Sequence, residues 1–195
     1  LVIFTGDQIK GYSKKFKKDP AIIESTIDIL VEPIAKRNIP FMVTYGNHDA
    51  QCGIDNRGQY KFYAKYDNFI SGDLRNSDDV GTADIQIYSS TEDKPVFELY
   101  IIDSHGKAKD GAGYAPVDKK QIEWYVSRRE QLKAENGGYL PSLVFQHIPV
   151  PEFFDVIKKV PKGTKGAVPA YGAHENEYFV LNDETIAEGG FMLES

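Results

Sequence analysis

Three apolar runs of the chain end in side chains that carry lone pairs. Leu1-Val2-Ile3-Phe4 leads into Thr5-Gly6-Asp7, Ile39-Pro40-Phe41-Met42-Val43 into Tyr45-Gly46-Asn47-His48-Asp49, and Ser142-Leu143-Val144-Phe145 into Gln146-His147. Their β-branched and aromatic content marks the runs as strands, and ligands of α/β folds usually bind at the carboxyl edge of such strands. A carboxylate, a carboxamide and imidazoles, with no thiolate beside them, are ligands for a hard-to-borderline divalent cation. Taken alone, Gly46-Asn47 reads equally well as turn chemistry with His48 capped by Asp49, since Gly, Asn and Asp are the commonest turn formers. Three strand ends offering ligands together outweigh that reading.

The elements that must position these residues follow from the spacing. Ile22, Ile23, Ile27, Leu30, Val31 and Ile34 recur at helical steps, with Asp19 as N-cap and Pro20 at the first position. Pro33 is expected to kink this helix or end it early. Strand, helix and strand then form a βαβ unit whose strand ends share one edge. Gly53 to Gly58 reads as a loop, and Gln59 to Phe69 as a helix with Tyr60, Phe62, Tyr63 and Tyr66 packed in the core. Ala83 to Ser89 and Val96 to Ile102 read as an antiparallel hairpin ending in Asp103-Ser104-His105-Gly106. A glycine-rich loop with Tyr114 and Pro116 leads to a helix from about Asp118 to Ala134, terminated at Asn136-Gly137-Gly138. Pro149 and Pro151 frame a turn into a helix over Glu152 to Lys158. Val160 to Ala173 is unassigned, as is His174, and Gly190 to Ser195 reads as a strand or turn.

The chain has 195 residues, 41% of them hydrophobic, which is enough for one domain with a core. Its net charge of −6 argues against nucleic acid as a partner. The single Cys52 excludes an internal disulfide and a thiolate zinc site. No run reaches the roughly 18 apolar residues that span a bilayer. The chain opens in mid-strand, so a leader or a first βα unit is expected upstream, and localisation stays open. Lys14-Lys15-Phe16-Lys17-Lys18 is, as charge runs most often are, a solvated face; its functional alternative is attraction of an anionic substrate toward Asp7.

Gly6-Asp7, Gly46-Asn47-His48-Asp49 and His147, in this order after strands, resemble the calcineurin-like metallophosphoesterase superfamily. Gln146-His147-Ile148-Pro149-Val150-Pro151-Glu152 and the segment from Asp103-Ser104 to Trp124-Tyr125 resemble its purple-acid-phosphatase-like branch. The resemblance implies an α/β fold of two mixed β-sheets packed as a sandwich with flanking helices, four layers in αββα order. It also implies a metal-dependent phosphoester hydrolase with two divalent ions (manganese, zinc or iron), acting on a phosphorylated small molecule or phosphoprotein. True purple acid phosphatases place a tyrosine ligand three residues after the bridging Asp; here the position is Lys10, so the resemblance is to a branch without that ligand, and a ferric-tyrosinate centre is not expected. The superfamily's Asp-x-His and Gly-His-x-His are absent, which implies an incomplete fold and weak metal binding by this chain.

Chemistry assigns the parts. Asp7 has two carboxylate oxygens and can bridge two cations. Asn47 is a neutral ligand that preserves positive charge for a phosphate, and His147 supplies an imidazole. Consecutive side chains in a turn diverge, so beside Asn47 the residue His48 is cast as general acid, with Asp49 orienting its ring. His105 and Tyr114 are candidate substrate contacts. The competing reading is a non-catalytic phosphate- or protein-binding domain with an incomplete cluster.

Overall fold

Alternate residues of two neighbouring strands face two different cores, and this sets the layers. The computed structural model describes residues 1–71, 79–108, 113–170 and 175–181. Strands β1 (Val2–Thr5) and β2 (Phe41–Thr44) pair in parallel, Ile3 opposite Met42. Val2, Phe4, Phe41 and Val43 join one core, in which Ile23, Ile27 and Val31 of helix α1 (Pro20–Ala35) are buried. Ile3 and Met42 point the other way, into a second core with Ala83, Ile85, Ile101 and Phe145. Period-2 alternation of this kind is what a strand covered on both faces requires. Burying each of the three α1 side chains is worth about 1.5–3 kcal/mol.

Helix α1 begins where expected, the Asp19 side chain accepting from the Ala21 N–H at 2.9 Å. It does not end early at Pro33 but runs on to Ala35. Pro33 lacks the N–H that would bond the Ile29 carbonyl and its ring crowds that group, but both residues are exposed, so the helix can tilt the carbonyl toward water. Helix α2 (Asn56–Tyr63) starts earlier and stops sooner than the aromatic spacing implies. Its N-cap is Asp55, whose side chain accepts from Gly58 N–H, so part of the expected loop is helix.

The second sheet has the order β3-β4-β5: β3 (Ala83–Tyr88) is antiparallel to β4 (Pro95–Ile102), and β4 is parallel to β5 (Ser142–Gln146). Helix α3 (Lys119–Asn136) covers its outer face. Tyr100 meets the rings of Trp124 and Tyr125 edge-on, and Arg128 Nε donates to both oxygens of Asp84 at 3.0 Å. The order is therefore helix, sheet, sheet, helix, with a mixed second sheet and, among the described residues, a parallel first sheet of two strands.

The chain forms two compact units, Leu1–Ile148 and Pro149–Ser195. In the second, Pro151–Val156 is a 3-10 turn and β6 (Ile157–Val160) follows, in place of the expected helix over Glu152 to Lys158. β6 pairs with β8 (Tyr178–Leu181), whose other edge holds β7 (Val168–Pro169). His174 and the expected strand or turn over Gly190 to Ser195 lie outside the described residues. Among the described residues no helix is long and apolar enough to cross a membrane.

Candidate metal centre

Two loops meet at the carboxyl ends of β1 and β2. Gly6 and Asp7 both take positive φ, 101° and 54°. A β-carbon on Gly6 would lie 2.6 Å from Gly46 N and 2.8 Å from His147 Cγ, and one on Gly46 would lie 2.2 Å from Asp7 Oδ1. Only glycine at both positions lets the loops touch. The buried Asp49 carboxylate ties them together. Its Oδ2 accepts from the N–H groups of Asp7 and Gly46, each at 2.7 Å, and its Oδ1 from Ile9 N–H at 3.3 Å. Burial holds the Asp49 carboxyl above its ordinary range, against the lowering effect of these N–H donors. Gln59, also buried, donates to the carbonyls of Asp49 and Ile54 at 2.9 Å and fixes the turn from below.

At this junction three expected ligands converge. His147 Nε2 lies 3.3 Å from Asp7 Oδ2 and 3.2 Å from Asn47 Oδ1. His147 Nδ1 faces the Thr5 carbonyl oxygen at 3.1 Å. A carbonyl only accepts, so Nδ1 carries the proton, and in the neutral ring Nε2 presents a lone pair. Asp7 Oδ1 is occupied by the backbone N–H of His48 at 2.9 Å, which leaves Oδ2 free. Two oxygen acceptors and a nitrogen lone pair thus share one small space without a proton of their own, an arrangement a divalent cation relieves. Ligands about 2.0–2.2 Å from a zinc-sized ion stand roughly 3 Å apart, so the donor set and its spacing fit such an ion. Among the described residues no group of three or more His, Cys, Asp or Glu side chains converges; here the third donor is the Asn47 amide.

His48 departs from expectation in one respect. Both Asp49 oxygens are engaged by the backbone, and it is Gln51 Oε1 that meets His48 Nδ1, at 3.0 Å. The Gln51 amide is oriented by its Nε2, which donates to Asn47 O at 3.2 Å. Its oxygen therefore faces His48, and Nδ1 holds the proton. Tyr12 packs against the imidazole, ring centroids 4.7 Å apart. Asp49 is a clamp on two loops and not the partner of His48. The sequence signal for Gln51 was its place three residues after His48 in a short turn; Tyr12 and Gln59 left no comparable signal.

His105 lies at the end of β4 with φ 60°. Its N–H donates to Asp103 Oδ1 at 2.8 Å, and its Nε2 stands 3.1 Å from Gln121 Oε1 and 3.2 Å from Asp118 Oδ2. Burial, then the charge of Asp79, push the Asp103 carboxyl up to about 6, with His105 and Asn56 opposing. His105 lines a cavity of about 640 Å³ with Asn56, Arg57, Lys120, Gln121 and Trp124. The next residue, Gly106, brings this wall beside the loop that carries Asn47: a β-carbon there would stand 3.8 Å from the Asn47 Cα. Ser104 joins the β4 and β5 ends by accepting from Ile148 N–H at 2.9 Å. Tyr114 is half exposed, bridges to Lys107, and is not among the residues lining the cavity.

Fold and motifs agree with sequence comparison. Residues 1–186 match the calcineurin-like phosphoesterase family, and the chain belongs to it. Proteins of this class generally use divalent metals and act on phosphoesters. The chain is 33% identical over 176 residues to "Phosphatase DCR2" of Saccharomyces cerevisiae, covering 85% of this chain and 29% of that protein. It is 28% identical to "Probable inactive purple acid phosphatase 29" and 27% identical to "Probable inactive purple acid phosphatase 14", both of Arabidopsis thaliana. These matches cover 85% and 78% of this chain but 45% and 42% of the relatives, so the chain spans less than half the length of each. No solved structure matches it.

Proposed function

We propose that the protein carrying this chain is a metal-dependent phosphatase, that Leu1 to Ser195 is part of a single metallophosphoesterase domain, and that Asp7, Asn47 and His147 hold one divalent ion. The observation that supports this most is the meeting of Asp7 Oδ2, Asn47 Oδ1 and His147 Nε2 within 3.2–3.3 Å. The Asp7 carboxylate would also help to hold a second ion, whose other ligands lie outside these three residues; manganese, zinc and iron suit the oxygen and imidazole set. When bound, the ions polarise a phosphoryl oxygen and make water nucleophilic at neutral pH.

The chain's own residues do the rest. Asn47 brings no charge, so the centre stays attractive to a phosphate. His48 acts as an imidazolium: with Nδ1–H held by Gln51, it delivers the second proton from Nε2 to the leaving oxygen as the phosphorus–oxygen bond breaks, the ring becomes neutral and the alcohol departs neutral. The cavity beside Asn47 receives the organic part of the ester against His105 and Trp124, and Tyr114 lies outside its lining. The word "inactive" in two relatives' names favours a second reading, a domain that binds phosphate without turnover. Hydrolysis of an aryl phosphate by the full-length protein with added manganese, abolished by chelation and restored by metal, supports the first. Saturable phosphate binding by the metal-loaded protein without product would establish the second.

A further inference from the structure

The segment from Lys10 to Lys18 holds five lysines, all exposed, in a chain whose acidic residues outnumber its basic ones 29 to 23. None of the five forms an ion pair among the described residues. A flexible basic tail would need no explanation, but this segment is fastened. Ile9 and Phe16 are buried in the first core. Ser13 N–H donates to Lys10 O at 2.8 Å, and Asp19 N–H to Phe16 O at 2.8 Å.

The fastening is to the metal-ligand turn. A β-carbon on Gly11 would lie 1.9 Å from His48 O, so the backbone passes directly over that residue. On the far side the Lys18 stem packs on Gly53, where an added β-carbon would stand 2.9 Å from Lys18 Cγ. Between them Lys10 Nζ sits 5.1 Å from the Tyr12 ring, which packs on His48. Lys17 and Lys18 are held at φ 51° and 58°, a conformation that residues with a β-carbon rarely adopt. A stretch with five exposed lysines, none in an ion pair among the described residues, is thus anchored through its backbone at Gly11 against His48 and through Lys18 against Gly53, with two of the five in a left-handed backbone.

We propose that this lysine rim recognises negative charge on the substrate outside the phosphate that is cleaved, so that the preferred phosphoesters carry at least one further phosphate or carboxylate. This rests on the hydrolase reading above. Charge acts here over about 8 Å at physiological salt, which suits a compact cluster of anionic groups. A long nucleic acid would also lie against the acidic remainder of the chain. A second phosphate on a small molecule and a carboxylate flanking a phosphoserine offer the same chemistry.

The test uses the full-length protein and a variant with Lys14→Gln, Lys15→Gln, Lys17→Gln and Lys18→Gln, all exposed and outside the candidate centre. The substrates are a simple aryl phosphate, a sugar bisphosphate, and a phosphoserine peptide with either Glu or Gln flanks. The variant is expected to lose about tenfold or more in kcat/KM, mainly through KM, for the bisphosphate, the Glu-flanked peptide or both, the pattern identifying the source. The aryl phosphate should change less than about twofold, and raised salt should reproduce the loss in the unmodified protein. Unchanged ratios among the substrates overturn the proposal. Should no ester be hydrolysed by either protein, the hydrolase reading fails, and calorimetry of inorganic tripolyphosphate on the chelated chain decides the rim separately. Weaker binding by the variant upholds anion recognition, and equal binding ends it.

Discussion

Asp49 accepts the backbone N–H of Asp7 at 2.7 Å on the same oxygen that accepts Gly46 N–H. A buried carboxylate thus joins the loop of one strand to the turn of the next, and the placing of Asp7 and Asn47 depends on that junction. Asp49→Asn puts an amide where a two-fold acceptor stood. It should lower stability by about 2 kcal/mol, since buried N–H groups lose charged acceptors, and it should weaken manganese binding. Thermal unfolding with and without metal checks both, and unchanged stability would return Asp49 to a chemical role.

Asn47→Ala and His147→Ala each remove a donor from the three that converge. Each should weaken binding of a divalent ion by roughly 10²-fold or more while the chain stays folded, because both side chains are partly exposed and losing a ligand costs more than the 10–100-fold typical of outer-shell partners. Metal analysis after dialysis against a buffered metal reads this directly.

His48→Ala should leave metal content near that of the parent and lower turnover by about 10²–10⁴ for a poor leaving group. For nitrophenolate, which departs unprotonated, the loss should shrink. Gln51→Leu should follow the same leaving-group pattern to a smaller degree, since it frees the ring without removing it. Equal loss for all leaving groups, together with lost metal, would make His48 a ligand or a structural residue.

Glu98 provides a pH test away from the centre. It is buried in β4, and neither of its oxygens is hydrogen-bonded among the described residues. Burial and then the charge of Asp84 push its carboxyl up to about 8, Arg128 opposing. An unfolded Glu titrates near 4.3. Between these values the folded chain keeps a proton that the unfolded chain has released, so this group makes stability fall as pH rises through that window. Glu98→Gln should therefore match the parent near pH 4.5 and exceed it at pH 8 by several kcal/mol. Denaturant melts at the two pH values measure it.

The β1, α1 and β2 elements were legible because alternation and caps are local: Asp19-Pro20 starts a helix whatever lies elsewhere. The meeting of Asp7 and Asn47 was legible for a similar reason, since β1 and β2 are parallel neighbours whose carboxyl ends share one edge; His147 arrives from β5 of the second sheet, and only the resemblance put it with them. Elements decided by distant partners were not. β6 was read as helix because its pairing with β8 is absent from its own sequence. The role of Asp49 was misread because the direction of its carboxylate is set by N–H groups of the Asp7 loop, which no spacing within the turn reveals. Gln51 was missed because Gln is common on surfaces, and its amide gains meaning only from the His48 ring beside it.

Trp124 is the only tryptophan of the chain, and it stands in the cavity wall with its ring against Tyr100. The chain therefore carries one indole fluorophore, placed where the organic part of a substrate is proposed to lie. Its emission should shift when that space exchanges water for a ligand, so cavity occupancy can be followed without a label, without metal and without turnover.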